Sequence, residues 1–236
     1  MPPARARDAA RNQVSRFCVS PVMWGESVKR IVFCDFDGTI TARETFEVVL
    51  KQFAPELSAQ LLPQMYARKL TLREGVRQIL ESIPSSRYPE IIELTRTQPM
   101  RPGFSELLDF LEVHGVPLVV VSGGLRKMVE AVLGSLVERV RAIHAIDVDT
   151  SGANLQVRSP YEAGTEMVAK VKVIEAYAPD EAIAIGDSLT DLNMALVAPL
   201  VFARDRLAKY LDENQTPYIP WNDFFTVRDY LTQLWQ

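Results

Sequence analysis

The segment Ile31-Val32-Phe33-Cys34-Asp35-Phe36-Asp37-Gly38-Thr39 passes abruptly from four apolar residues to two carboxylates one residue apart. A short apolar run without alternation predicts a strand buried on both faces, as in a parallel sheet. Two acids placed directly after such a strand cannot both turn into a core. They form a dense negative site that a divalent cation would neutralise, and oxygen ligands suit Mg²⁺. Gly38 supplies the sharp exit that keeps both acids at the surface.

The same signature recurs along the chain. Pro117–Val121 ends in Ser122-Gly123-Gly124, Glu181–Ile185 ends in Gly186-Asp187, and Pro199–Phe202 is a fourth run. Between the runs lie amphipathic periods: Phe104, Leu107, Leu108 and Leu111 share one helical face, and Leu125, Met128, Val129, Val132 and Leu133 share another. Strand and helix in alternation predict an α/β fold with a doubly wound, Rossmann-like parallel sheet. The stretch Ile143–Val157 breaks the rhythm, and its Asp149-Thr150-Ser151-Gly152 centre predicts a β-hairpin.

The interval between Asp37 and Leu118 is too long for a simple crossover, and most of it reads as helical. Phe46, Val49, Leu50 and Phe53 share a face, as do Leu61, Leu62, Met65 and Tyr66. Thr71-Leu72-Arg73-Glu74 is a capping box ahead of Val76, Ile79, Leu80 and Ile83, and a further helical piece covers Pro89–Leu94. These elements predict a lid-sized helical cap over residues 42–100, inserted after the first strand of a core built from 29–41 and 101–236. Trp221, Phe224, Phe225, Tyr230 and Leu234 are expected to pack a C-terminal helix onto the sheet.

Every strong polar signal falls at the carboxyl end of a predicted strand, the edge where open parallel sheets bind ligands. Ser122, with the backbone N–H groups of the glycines at a helix start, makes an anion site. Asp187 joins Asp35 and Asp37 on that edge, and three carboxylates meeting there would repel one another strongly without a cation. His114 sits at a helix end, where a cation complements the dipole. His144 has no acid–base partner in any motif.

In this order, Asp35–Thr39, Ser122-Gly123 and Gly186-Asp187-Ser188-Leu189-Thr190-Asp191 resemble the successive motifs of the haloacid dehalogenase superfamily, in its phosphoserine-phosphatase-like branch. The resemblance implies a Mg²⁺-dependent phosphatase acting on a small phosphorylated metabolite. Asp35 would be the phosphoryl-accepting nucleophile and Asp37 the general acid and base. The metal would be held by Asp35, Asp187 and the backbone carbonyl of Asp37, with Thr39 and Asp191 in support. Ser122, Gly123 and a lysine would cradle the phosphoryl group. Family members place that lysine at a helix start, three and four residues before two apolar residues; Lys170 meets this with Val173 and Ile174, and Lys172 is the alternative. Glu44 stands where phosphoserine phosphatases keep a substrate-binding glutamate. Arg73-Glu74-Gly75-Val76, Ser188–Asp191 and Val201-Phe202-Ala203-Arg204-Asp205 are similar instead to the methionine-salvage phosphatases, whose substrate is 2-hydroxy-3-keto-5-methylthiopentenyl-1-phosphate. Phosphoserine phosphatase and a catalytically silent homologue of the same fold are the alternatives.

Bulk properties narrow the remaining classes. With 26 basic and 30 acidic residues interspersed, the chain has no basic face suited to nucleic acid. It also lacks an apolar stretch of the roughly 18 residues that would span a membrane. Two cysteines, Cys18 and Cys34, make no disulfide framework and fit a reducing compartment. Residues 1–28 stand apart, with Arg5, Arg7, Arg11 and Arg16 against the single acid Asp8 in the first twenty positions. A disordered leader is the expectation, with the cytoplasm as location; an organelle transit peptide is the alternative. Oligomeric state is left open.

Overall fold

The computed structural model describes residues 28–236, so the expected leader lies outside the described residues except for Val28. Strand β1 (Arg30–Cys34) is followed by four helices, α1 (Phe46–Phe53), α2 (Pro55–Tyr66), α3 (Leu72–Glu81) and α4 (Tyr88–Arg96). Helix α5 (Phe104–Val113), strand β2 (Leu118–Leu125), helix α6 (Arg126–Leu133) and strands β3 (Ala142–Asp149) and β4 (Gln156–Arg158) come next. The chain then runs through α7 (Lys170–Tyr177), β5 (Glu181–Gly186), α8 (Leu192–Val197), β6 (Leu200–Ala203), α9 (Asp205–Glu213), β7 (Ile219–Pro220) and α10 (Phe224–Leu234).

The strands form one sheet in the order β4-β3-β2-β1-β5-β6-β7, parallel throughout except for the antiparallel β3–β4 pair. Strand β1 therefore lies between β2 and β5, with Cys34 opposite both Val120 and Ile185. This is the reversal point of a doubly wound sheet, where a crevice opens at the strands' carboxyl ends. Side chains alternate across the sheet as the pleat requires. Ile31 and Phe33 join the apolar cluster that includes α1–α4, α7 and α9, while Val32 and Cys34 join the cluster under α5 and α10. Each fully buried aromatic or branched side chain, Phe33 for example, contributes roughly 1.5–3 kcal/mol of transfer free energy.

Several local expectations meet a different chain path. The second strand continues through Ser122-Gly123-Gly124 to Leu125, with a register irregularity after Val121, so α6 opens only at Arg126. Leu125 is thus a strand residue and not part of that helix's face. The hairpin is present, but β3 is longer than expected, because its first half pairs in parallel with β2. Tyr66 is 58% exposed and its hydroxyl donates to Glu47. Leu234 is 50% exposed, and Trp235 stacks on Phe110 instead.

The capping box of α3 forms as read: Thr71 Oγ1 accepts from Glu74 N at 3.1 Å, and the Glu74 carboxylate accepts from Thr71 N at 3.3 Å. Helix α3 and the residues after it are tied to the hairpin and its exit. Ser85 N donates to Ala153 O, Leu155 N to Ile83 O, and Arg77 reaches Val157 O and Glu162. Among the described residues, no helix is long and apolar enough to cross a membrane.

Candidate active site

Adjacent strand ends bring distant acids together. Asp35 N donates to Ile185 O at 2.9 Å, which extends the β1–β5 pairing by one residue and sets Asp35 beside Asp187. The loop leaving β1 turns back through Gly38, at φ +83°, so closely that a Cβ there would lie 2.5 Å from Asp187 Oδ2. Only glycine meets both conditions. The buried Thr39 hydroxyl donates to Asp187 Oδ1 at 2.7 Å.

Lys170, the first residue of α7, points its ammonium into this rim. Its Nζ lies 2.5 Å from both Asp35 Oδ1 and Asp191 Oδ1, and the side chain is 2% exposed. Lys172 is exposed and does not reach the acids. Asp191 uses its other oxygen to accept from Asp187 N and Ser188 N, each at 3.0 Å. A Cβ on Gly186 would collide with Asp191 Cγ at 2.6 Å, so the strand end is a glycine because that carboxylate folds back over it.

The charges are unbalanced. Three carboxylates, Asp35, Asp187 and Asp191, each offer an oxygen within 4.8 Å of the others, against the single ammonium of Lys170. Burial, then repulsion from Asp191, raises the Asp35 carboxyl well above its ordinary range despite Lys170. The same two causes push Asp187 up to about 7. Burial pulls the Lys170 ammonium down, but the attraction of Asp191 and Asp35 outweighs it and leaves the pKa raised. Among the described residues, Asp35 Oδ2 and Asp187 Oδ2 accept no hydrogen bond, whereas both oxygens of Asp191 are engaged. Excess negative charge with two free carboxylate oxygens suits a hard divalent cation between Asp35 and Asp187.

Asp37 stands differently from its neighbours. Its carboxylate is not part of the acid cluster but lies at the start of α1, accepting from Thr45 N at 2.6 Å, Phe46 N at 2.9 Å and the Thr45 hydroxyl. Burial raises its pKa, while the bonds from Thr45 and Phe46 act the other way. Ser122 is fully buried and its Oγ accepts from Gly124 N at 3.0 Å, which leaves the hydroxyl proton for another acceptor. Gly123 is exposed, with open space where a side chain would project. Ser122 and Gly123 thus lie on an irregular strand end, not at a helix start.

Glu44 is exposed and lines a cavity of about 280 Å³ that Gly38 and Asp187 also border. The same cavity is lined by Arg43, Arg101, Arg204 and Arg206. Arg101 donates to Gly38 O at 2.6 Å, Thr39 O at 3.0 Å and Asn222 O at 3.3 Å, bracing the loop that follows β1.

A family model described as haloacid dehalogenase-like hydrolase matches residues 32–196. A 2-hydroxy-3-keto-5-methylthiopentenyl-1-phosphate phosphatase of Microcystis aeruginosa is 54% identical over 206 residues, covering 86% of this chain and 98% of that one. One of the same name from Geobacillus kaustophilus is 35% identical, covering 86% and 96%. Among solved structures, a phosphoserine phosphatase from T. onnurineus superposes with a TM-score of 0.66 at 17% identity, covering 86% of this chain and 94% of that one. That last likeness speaks to the fold alone.

Proposed function

The chain belongs to the haloacid dehalogenase-like hydrolases and is a phosphoric monoester hydrolase, and from that premise we propose that it is a Mg²⁺-dependent phosphatase of 2-hydroxy-3-keto-5-methylthiopentenyl-1-phosphate, working through an aspartyl-phosphate on Asp35. The observation that carries the chemistry is the approach of Asp35, Asp187 and Asp191 around one buried lysine. The substrate rests on the two named relatives and their near-complete coverage.

In this reading Asp35 attacks phosphorus in line while the ester oxygen departs on the far side, so one difficult displacement becomes two easier ones. Ser122 donates its free hydroxyl proton to a phosphoryl oxygen, the Gly123 amide donates to another, and Lys170 offsets the charge of the group in flight. Asp37 delivers a proton where the leaving oxygen needs one, then accepts a proton from the water that cleaves the acyl phosphate. Burial raises its pKa, which favours the protonated form that the first half of that exchange needs. The Asp35 and Asp187 carboxylates and the Asp37 carbonyl would hold Mg²⁺, which would supply positive charge to offset that of the phosphoryl group. Asp191 touches no substrate; it fixes Lys170 and the backbone of Asp187. Glu44, on the cavity wall, faces the non-phosphate half. A reducing compartment, the cytoplasm, is the proposed location, a reading supported by the free, buried Cys34.

The test is phosphate release from the methylthio ester and from phosphoserine, each with Mg²⁺ and with EDTA. The methylthio ester is expected to be the better substrate, and activity is expected to vanish with EDTA. Asp35→Asn should lower turnover by at least about 10³-fold. An Asp35→Asn protein that still hydrolyses the ester at near the original rate would sink the covalent mechanism.

A further inference from the structure

The arginine-lined cavity beside Asp187 has a division of labour among its cations. Arg101 is committed to three carbonyls, and its guanidinium lies 5.4 Å from the centre of the Trp221 ring. Arg204 sits at the same distance from that ring, donates to Asn222 O at 2.9 Å and pairs with Asp205 at 2.7 Å. Two like charges are thus held against one indole, and the pKa of Arg101 is lowered first by burial and then by Arg204. Arg43 and Arg206, by contrast, make no ion pair or side-chain hydrogen bond among the described residues, although both line the cavity.

Backbone adds to this field. Helix α9, nine residues long, begins at the cavity wall, and its Leu207 N is fixed by Asp187 O at 2.9 Å. Its positive end therefore faces the same space. The lining holds four guanidiniums against the carboxylates of Glu44, Asp205 and Asp187, and a cation on Asp187 would tip the balance further positive.

We infer that this cavity is a second-anion subsite, in which Arg43 and Arg206 grip the planar two-oxygen anion that the leaving group becomes as its bond to phosphorus breaks, or a carboxylate already carried beside the ester. The inference rests on the phosphatase reading and gives that reading a substrate class. In the proposed ester the leaving oxygen is conjugated, through the alkene, with the 3-keto group. When the P–O bond breaks and phosphorus bonds to Asp35, the electron pair stays on the leaving oxygen and is shared with the keto oxygen. No proton or co-reactant is needed for that redistribution. The product is a vinylogous carboxylate, and a fork of guanidinium donors matches such a pair of oxygens. Arg101 and Arg204 act as a fixed positive wall behind the two ligands.

The test compares 2-phosphoglycolate, which carries a carboxylate, with ethyl phosphate, which does not. The wild-type chain with Mg²⁺ is expected to favour phosphoglycolate in kcat/KM by at least about tenfold. Arg206→Met and Arg43→Met should each bring that ratio down severalfold, and Arg206→Glu should bring it below one. Arg68→Met, outside the cavity, should leave the ratio as it was. Calorimetric binding of both esters to the Asp35→Asn chain with Mg²⁺ reads the same preference without turnover. A ratio near one in binding to the Asp35→Asn chain, or a kcat/KM ratio untouched by the Arg206 and Arg43 changes, overturns the subsite. Failure to hydrolyse the methylthio ester would count against the phosphatase reading, whereas the binding comparison would still judge the subsite.

Discussion

Two charged regions border the same crevice and are built on opposite terms. Around Lys170, every charge is buried: the ammonium is 2% exposed and touches two carboxylates, and both oxygens of Asp191 are engaged. At the cavity mouth, Arg43 and Arg206 are exposed and unengaged. In the first region the buried ammonium is paired on two sides, because a charge taken from water needs close partners. The second can leave its cations free because water solvates them until a ligand arrives. Chemistry is therefore fixed in the fold, and discrimination is carried by side chains that cost the fold little.

The widest gap between the regions should appear on removing the buried cation. Lys170→Met leaves Asp35 and Asp191 without a counter-charge and should cost about 3–5 kcal/mol of unfolding free energy, read from urea denaturation. A loss below about 1 kcal/mol would mean that the knot relaxes far more than its burial suggests.

A smaller effect should come from the metal. The Asp187 carboxyl, near 7 in the fold, ionises well above its ordinary value of 3.8. The folded chain holds that proton after the unfolded chain has lost it, so this group's contribution to stability falls as pH rises from about 4 and levels off above 7. On the proposed reading Mg²⁺ binds the ionised form. At a hundredfold excess over its Kd, Mg²⁺ should add about 2.7 kcal/mol at pH 8. The gain should be less at pH 6, as followed by thermal unfolding with and without EDTA. An equal gain at both pH values would remove Asp187 from the ligand set.

The mildest expectation concerns the mouth. Arg206→Met should change unfolding free energy by no more than about 0.5 kcal/mol. A loss of 2 kcal/mol or more, on the scale of a buried network, would make Arg206 structural and erase the contrast drawn here.

This contrast also marks what could be read from the chain itself. Strands buried on both faces leave unbroken apolar runs, so β1, β2, β5 and β6 and the acids at their ends stood out. Capping chemistry is local, so α3 announced itself through Thr71 and Glu74. Strand β7 is two residues long and leaves no periodic trace. The turn of the Asp37 carboxylate toward Thr45 and Phe46 depends on how the loop closes, which no spacing reports. The arginine cavity was least legible of all. Arg43, Arg101 and the Arg204/Arg206 pair come from three distant segments, and on each segment alone they look like ordinary solvated residues.

The strand order carries one last consequence, for the making of the protein. The segment that bears Asp35 leaves the ribosome early, yet its partners on either side, β2 and β5, are among later products of translation. At about 5–20 residues per second, its first neighbour emerges only after several seconds. During that wait an apolar strand has both edges open and invites mispairing. The helices α1–α4 are made in that interval, before either edge of β1 can be paired.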